Sequence, residues 1–512
     1  MRRLRNDLVG LVRLAVAALS LGLGGCVYAA RPIGEAITAS PPATATATAT
    51  PFAPATNTPF PPTLTPSNTP AATPTPLASS TPSPTATPRP PAHPRYDFTA
   101  VLDFWARTLT VDERILYPNP GFRTLDRLVL NVEAAQWPDV FHLQSVTLDG
   151  QPVRGALSGT RWTLPLSKPL QPGQSLVLEI HYQLVLPYRT GSRIFGMDAR
   201  QTNLVDWYPF VVPYDSKQGW LWHKPWPFGD HLVYPLADYD IVLTLKHAAS
   251  GCRIAASAPP DADGHYRLQA ARTFVFSMSP YFQTTTAKAG DITITSYYPA
   301  ELAAGGKVLP TYAAQAVATF SHTYGPLPRR HLAIVATDAP DGMEYSGLVF
   351  LSANFYRAYN RTVLNNLVTL GVHELSHQWW YDQVGNDQAL HPWMDEALAV
   401  YSEWLFYRRN YPADVPLWWG FRVNYFQPQG YVNRSIYDYS SFRPYVNATY
   451  LQGARFLEAL RRRIGDQAFF AFLHAYYAQM QGRIATPEDF FRILDAHTTT
   501  RYQDIVERYF VR

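Results

Sequence analysis

From Tyr96 to about Gly290 apolar and polar residues alternate with a period of two. "RLVLNVEAA", "SVTLDGQPV", "SLVLEIHYQLVLP", "DYDIVLTLKH", "TFVFSMSP" and, just beyond, "ITITSYYP" each place one face of an extended chain in a core. Turn residues separate them, and Asp149-Gly150 is a hairpin signal. After Pro299 the period lengthens. "PTYAAQAVATFSHTYG" predicts a helix that begins at Pro310 and stops at Gly325. A buried strand "HLAIVAT" follows, then "GLVFLS", then helices over about Val363 to Val384, Met394 to Arg409 and Thr449 to Ile464. Thr486-Pro487-Glu488-Asp489 reads as cap, first-turn proline and capping acid of one more helix. The expected fold class is α+β and multidomain: an N-terminal antiparallel β domain over residues 96–299, then a mixed α/β domain with a helical lobe over residues 300–512.

Ahead of these lies sequence of another kind. Residues 27–95 are dominated by Thr, Pro, Ala and Ser, a composition that cannot bury a core and favours solvated polyproline II; they read as a disordered tether. Residues 1–26 have the grammar of a secretory signal, with arginines first and an apolar run after. Their end, Leu23-Gly24-Gly25-Cys26, resembles a bacterial lipobox, which implies lipidation of Cys26 and an extracytoplasmic protein anchored to the bacterial cell membrane. A lipidated Cys26 leaves Cys252 with no partner for an intramolecular disulfide.

Composition narrows the function classes. With 47% hydrophobic and 14% aromatic residues the chain can build a large core. Taking the leader's four arginines and one aspartate from the 43 basic and 39 acidic residues leaves a near balance, which argues against a nucleic-acid partner.

The chemistry concentrates in "HELSHQWWYDQVGNDQALHPWMDEALAVYSE" (His373 to Glu403). On a helix, residues four apart share a face, so His373 and His377 can present both imidazoles to one ion. Glu374, offset by about 100°, can reach a water on that ion without ligating it. A catalytic zinc takes three protein ligands, and Glu396, on the next helix, supplies the third. A solvated His-Glu helix face is the bland alternative. Trp379, Trp380 and the apolar Leu367, Leu370, Val372 and Leu375 argue against it, because they put the helix inside the molecule. Glu403 lies two turns beyond Glu396 on the same face, placed to hold a ligand histidine by its other ring nitrogen.

Three motifs together resemble the aminopeptidase N family of gluzincin metallopeptidases: "HELSHQWW" with "WMDEALA", "DGMEYSGLVFLS", and "TYLQGARFLEAL". The resemblance covers about Tyr96 to Arg512 and implies a thermolysin-like catalytic domain after a β domain, in a short form without the large C-terminal helical domain of many relatives. It implies one Zn2+ per chain held by His373, His377 and Glu396, with Glu374 as general base and Tyr450 as donor to the oxyanion. Glu344 would bind the free α-amine of a peptide substrate, and Gly342 would let the substrate backbone approach. Tyr345 stands where the family has Asn, and Gln452 where it has Lys. For the second amine anchor, Gln201 is the candidate. The expected activity is release of N-terminal residues from peptides. A zinc endopeptidase or oligopeptidase with an open cleft, and a catalytically silent surface binding module, are the alternatives.

Overall fold

The alternating segments of the N-terminal half pair into a seven-stranded sheet in the order Tyr266–Ala271, Ala237–Lys246, Arg95–Asp103, Thr108–Pro118, Ser175–Val185, Phe141–Leu148, Gln151–Pro152. All its pairings are antiparallel except that of Arg95–Asp103 with Ala237–Lys246, which run parallel. The computed structural model describes residues 93–511 except 120, 122, 190 and 192, and these belong to one compact unit. The expected signal peptide (1–26) and almost all of the expected tether (27–95) lie outside the described residues. Asp149 and Gly150, at φ 47° and 74°, form the expected hairpin turn. Two four-stranded sheets and a two-stranded hairpin, Tyr214–Asp215 with Gly219–Trp220, complete this half among the described residues.

A five-stranded sheet underlies the C-terminal half, in the order Gln283–Ala289, Ile292–Tyr298, His331–Thr337, Leu348–Ser352, Met343–Tyr345. It begins upstream of the boundary expected at residue 299, because Ile292–Tyr298 pairs in parallel with His331–Thr337. Both faces of its centre are covered. Leu332, Ile334, Val349 and Leu351 enter the core shared with the helices, whereas Ala333, Val335, Leu348 and Phe350 enter the core of the β half. Such two-sided burial is why "HLAIVAT" and "GLVFLS" read as continuous apolar runs. Each fully buried aliphatic residue there contributes about 1.5–3 kcal/mol. The short edge strand Met343–Tyr345 runs antiparallel to its neighbour and borders the functional cavity.

Three helix limits differ from expectation. The first helix is Ala303–Thr323, so Pro310 lies inside it. Its start is set by close packing: a Cβ at Gly306 would come within 2.2 Å of the Tyr298 ring, and one at Gly305 within 2.6 Å of Leu367. The motif helix is Asn366–Ser376, capped by the Asn365 side chain, and ends at His377 rather than near Val384. Beyond it the chain turns, and Trp379 and Trp380 are driven fully into the core. The third, Gly453–Ile464, is preceded by a wide π-helical turn, Asn447–Gln452, where ordinary helix was expected from Thr449. Trp393–Asn410 and the Thr486 capping box with Asp489 match the sequence reading. Among the described residues no helix is long and apolar enough to cross a membrane.

Candidate metal and peptide-binding site

His373 and His377 stand one turn apart at the end of Asn366–Ser376, and Glu396 lies in the first turn of Trp393–Asn410. The packing of these helices brings the three side chains together. His373 Nε2 is 3.2 Å from Glu396 Oε2 and 3.3 Å from His377 Nε2, and His377 Nε2 is 3.6 Å from Glu396 Oε2. Four donors arranged tetrahedrally at about 2.0–2.2 Å from one centre are about 3.3–3.6 Å apart, so the triangle has the edge lengths zinc requires. The donor chemistry fits as well. His373 Nδ1 donates to Glu403 Oε1 at 2.9 Å and His377 Nδ1 donates to the Trp380 carbonyl at 2.9 Å, which leaves both Nε2 atoms facing the centre.

Electrostatics agree. Burial alone would lower the pKa of His373, but hydrogen bonds to Glu396 and Glu403 and the charge of Glu374 raise it to about 9. Glu396, despite its burial, is lowered to about 2 by the two histidines. The protein thus places cationic charge at a high premium here, and a dication satisfies that demand.

Glu374 is 5% exposed and accepts no hydrogen bond from the described residues; burial and the neighbouring Glu344 push its pKa well up. Its carboxylate lies against Gly342, where a Cβ would come within 2.1 Å of Oε1. Gly342 therefore makes room for Glu374, a reason different from the substrate approach expected of it. The Tyr450 hydroxyl donates to Glu396 Oε1 at 2.5 Å, and its ring stacks on His373 at 5.9 Å between centroids. Glu344, on the edge strand, accepts from Gln388 Nε2 at 3.3 Å, and the same amide donates to Asp395 at 2.8 Å.

These groups line a cavity of about 380 Å³ whose other wall comes from the N-terminal half. Three acids on that wall, Glu133, Asp206 and Asp230, escaped the sequence reading. Asp230 brings a carboxylate oxygen within 4.8 Å of Glu344 and Glu396, and burial together with those charges raises its pKa well above the usual range. Asp206 is held by the hydroxyls of Tyr234 and Tyr345, and burial raises it to about 6. Tyr345, the departure from the family's Asn, thus has a partner. No periodicity marks Asp230 in "WPFGDHL"; its only signal is the neighbouring Gly229, at φ 71°, packed against Ile436 and Tyr445.

Gln201 does not reach this cavity. Its Nε2 donates to Ser277 Oγ and the Ala336 carbonyl, its Oε1 accepts from Arg189, and it borders a separate, small hollow. The loop that was to deliver it is tied to the sheet behind the edge strand. Cys26 lies outside the described residues.

Residues 308–509 match the family model described as the peptidase family M1 domain. Among solved structures, the M1 zinc metallopeptidase from Deinococcus radiodurans is similar, at 19% identity and a TM-score of 0.60, over 82% of this chain and 93% of the other. A mutant of that protein bound to a Tyr-Ser-Ala substrate aligns at 20% identity and TM-score 0.59, over 81% of this chain and 93% of the other. A structure described as a two-domain M1 zinc metallopeptidase mutant bound to L-tryptophan aligns at 20% and 0.59, over 82% and 94%. Together with three side chains placed to hold a metal ion, this match supports reading the chain as a zinc metallopeptidase whose chemistry is peptide hydrolysis.

Proposed function

We propose that this zinc metallopeptidase is an aminopeptidase that removes N-terminal residues from peptides. The observation that carries the reading is the pair Asp230 and Glu344, two carboxylates within 4.8 Å of each other and of Glu396. A free α-ammonium beside the scissile bond matches that arrangement in charge and position; an internal peptide segment offers the two carboxylates no counter-charge.

In this reading His373, His377 and Glu396 would hold one zinc ion, which when bound would supply a Lewis acid for the scissile carbonyl and an acidified water. Glu374 takes the proton from the attacking water and hands it to the leaving amine. Its raised pKa suits both tasks. Tyr450 donates a hydrogen bond from its hydroxyl to the carbonyl oxygen as charge grows there, a contribution of about 3 kcal/mol for one good donor. Glu344 and Asp230 hold the substrate's ammonium, Gln388 fixes Glu344, Gly342 gives Glu374 its space, and Glu403 holds the His373 ring.

The experiment is a comparison of aminoacyl-arylamides with N-acetylated peptides, after measurement of bound zinc. Cleavage of the free-amine substrates alone is expected. Cleavage of the blocked peptides at a similar rate would replace the reading with an endopeptidase, and a protein that takes up no zinc would leave a silent binding module.

For location, the leader and its lipobox-like end support an extracytoplasmic protein anchored to a bacterial membrane through Cys26, with the Thr/Pro-rich tether between anchor and enzyme. Incorporation of labelled palmitate that a Cys26→Ser substitution abolishes is the expected result; equal labelling of the variant would remove the anchor.

A further inference from the structure

Glu403 orients His373, but a carboxylate that is itself 0% exposed must be held in turn. Most of the hold comes from one side chain. Arg422 donates from Nε to Glu403 Oε2 at 2.8 Å and Oε1 at 3.1 Å, and from Nη2 to Oε1 at 2.7 Å. Trp418 Nε1 adds a bond to Oε2 at 3.1 Å. Arg422 is 5% exposed and also borders the cavity, although it belongs to none of the motif segments.

Its backbone is unusual. Trp419–Val423 is a π-helical turn, and among the described residues the one other such turn, Asn447–Gln452, carries Tyr450. A π turn spaces its residues more widely than an α turn and is rare without a tertiary contact to repay it. Here each wide turn contributes a side chain to a carboxylate on helix Trp393–Asn410: Tyr450 to Glu396, and Arg422 to Glu403.

We propose that Arg422 is a positioning residue for the metal centre, an inference that rests on the zinc reading above. The planar guanidinium fork fixes the plane of the Glu403 carboxylate. That carboxylate fixes the ring angle and Nδ1–H tautomer of His373, so that Nε2 faces His377 and Glu396. The alternative role, simple counter-charge, has the opposite sign. Removing a mere counter-charge leaves an extra buried anion near the ion and tightens cation binding, whereas removing a positioning clamp weakens it.

The test measures the zinc dissociation constant by competition with a chromophoric chelator for the wild type, Arg422→Met, Arg422→Lys, Glu403→Gln and the double variant Glu403→Gln/Arg422→Met. Arg422→Met is expected to weaken zinc binding about 10- to 100-fold. Arg422→Lys, which keeps the charge without the fork, should recover part of that loss. The double variant should bind no more weakly than Glu403→Gln alone, because Arg422 acts through Glu403. Unchanged or tighter binding in Arg422→Met, or losses that add in the double variant, would overturn the proposal. Should circular dichroism show Arg422→Met unfolded, Trp418→Phe decides: removing the second clamp on Glu403 should weaken zinc a few-fold, and an unchanged constant counts against the proposal. A wild type that binds no zinc would instead defeat the functional reading itself.

Discussion

The two walls of the cavity were assembled in different ways. The metal wall comes from residues 373 to 403, on two consecutive helices whose buried faces hold every ligand and the general base. The opposite wall gathers Glu133, Asp206 and Asp230 from loops of the N-terminal half that lie far from the motif in sequence. A metal demands fixed distances between donors, and a helix supplies them at i and i+4. Recognition of a peptide end demands charge in a roughly correct place, which loops on a rigid scaffold can deliver. The metal centre and its neighbouring Glu374 are therefore local in the chain, whereas the acids that face them are gathered from afar.

Breaking the metal wall should have the largest effect. Stripping the ion with a chelator should abolish turnover and lower the melting temperature, since an ion present at 1,000 times its Kd stabilises by about 4 kcal/mol. Readdition of zinc should restore both, as calorimetry and an arylamide assay would register. Next comes Glu374→Gln, expected to lower kcat by about 10³-fold or more while one zinc per chain remains bound. Retained turnover would move the base elsewhere.

The amine-binding groups, Glu344 on the edge strand and Asp230 on the opposite wall, should yield smaller and more selective losses. Glu344→Ala should lower kcat/KM on free-amine substrates by about 100-fold and Asp230→Asn by about 10-fold, the worth of hydrogen bonds to a charged group, with little change in zinc affinity. If Asp230→Asn leaves the free-amine substrates untouched, recognition belongs to the edge strand alone.

The smallest effect concerns stability. Burial raises Asp206 from its ordinary value to about 6, so the folded protein keeps this proton to higher pH than the unfolded chain does. Ionising it therefore costs stability as pH rises from about 4 through 6. Asp206→Asn removes that cost: it should stabilise the fold above pH 6, and the gain should vanish below about pH 4. A shift of this size corresponds to about 3 kcal/mol at most, and because Asp206 is only part-buried and Asn accepts less strongly from Tyr234 and Tyr345, the expected gain is about 1 kcal/mol. Thermal unfolding at pH 4 and pH 8 checks the sign.

Element types were legible wherever one period persisted. The strands of the β half, the two-sided burial of "HLAIVAT" and the helix Trp393–Asn410 follow from apolar spacing. Limits set by packing were not. Pro310 reads as a helix start, yet the helix begins at Ala303 because Gly305 and Gly306 fit against Leu367 and Tyr298. His377 ends its helix because the two tryptophans after it must turn inward. Gln201 carried the right chemistry for an anchor and points into the sheet, while Asp230, in an aperiodic loop, faces the cavity.

By itself the sequence singled out His373 and His377 with Glu374, and Glu396 with Glu403, as two candidate pairs of groups, because short-range helical geometry fixes which side chains within each helix share a face. Only the tertiary structure decided that Asp230 and Asp206 oppose them, that Gly342 yields its space to Glu374, and that Arg422 grips Glu403. Those contacts join segments tens to hundreds of residues apart, and no local period records where a packed core will bring two loops together.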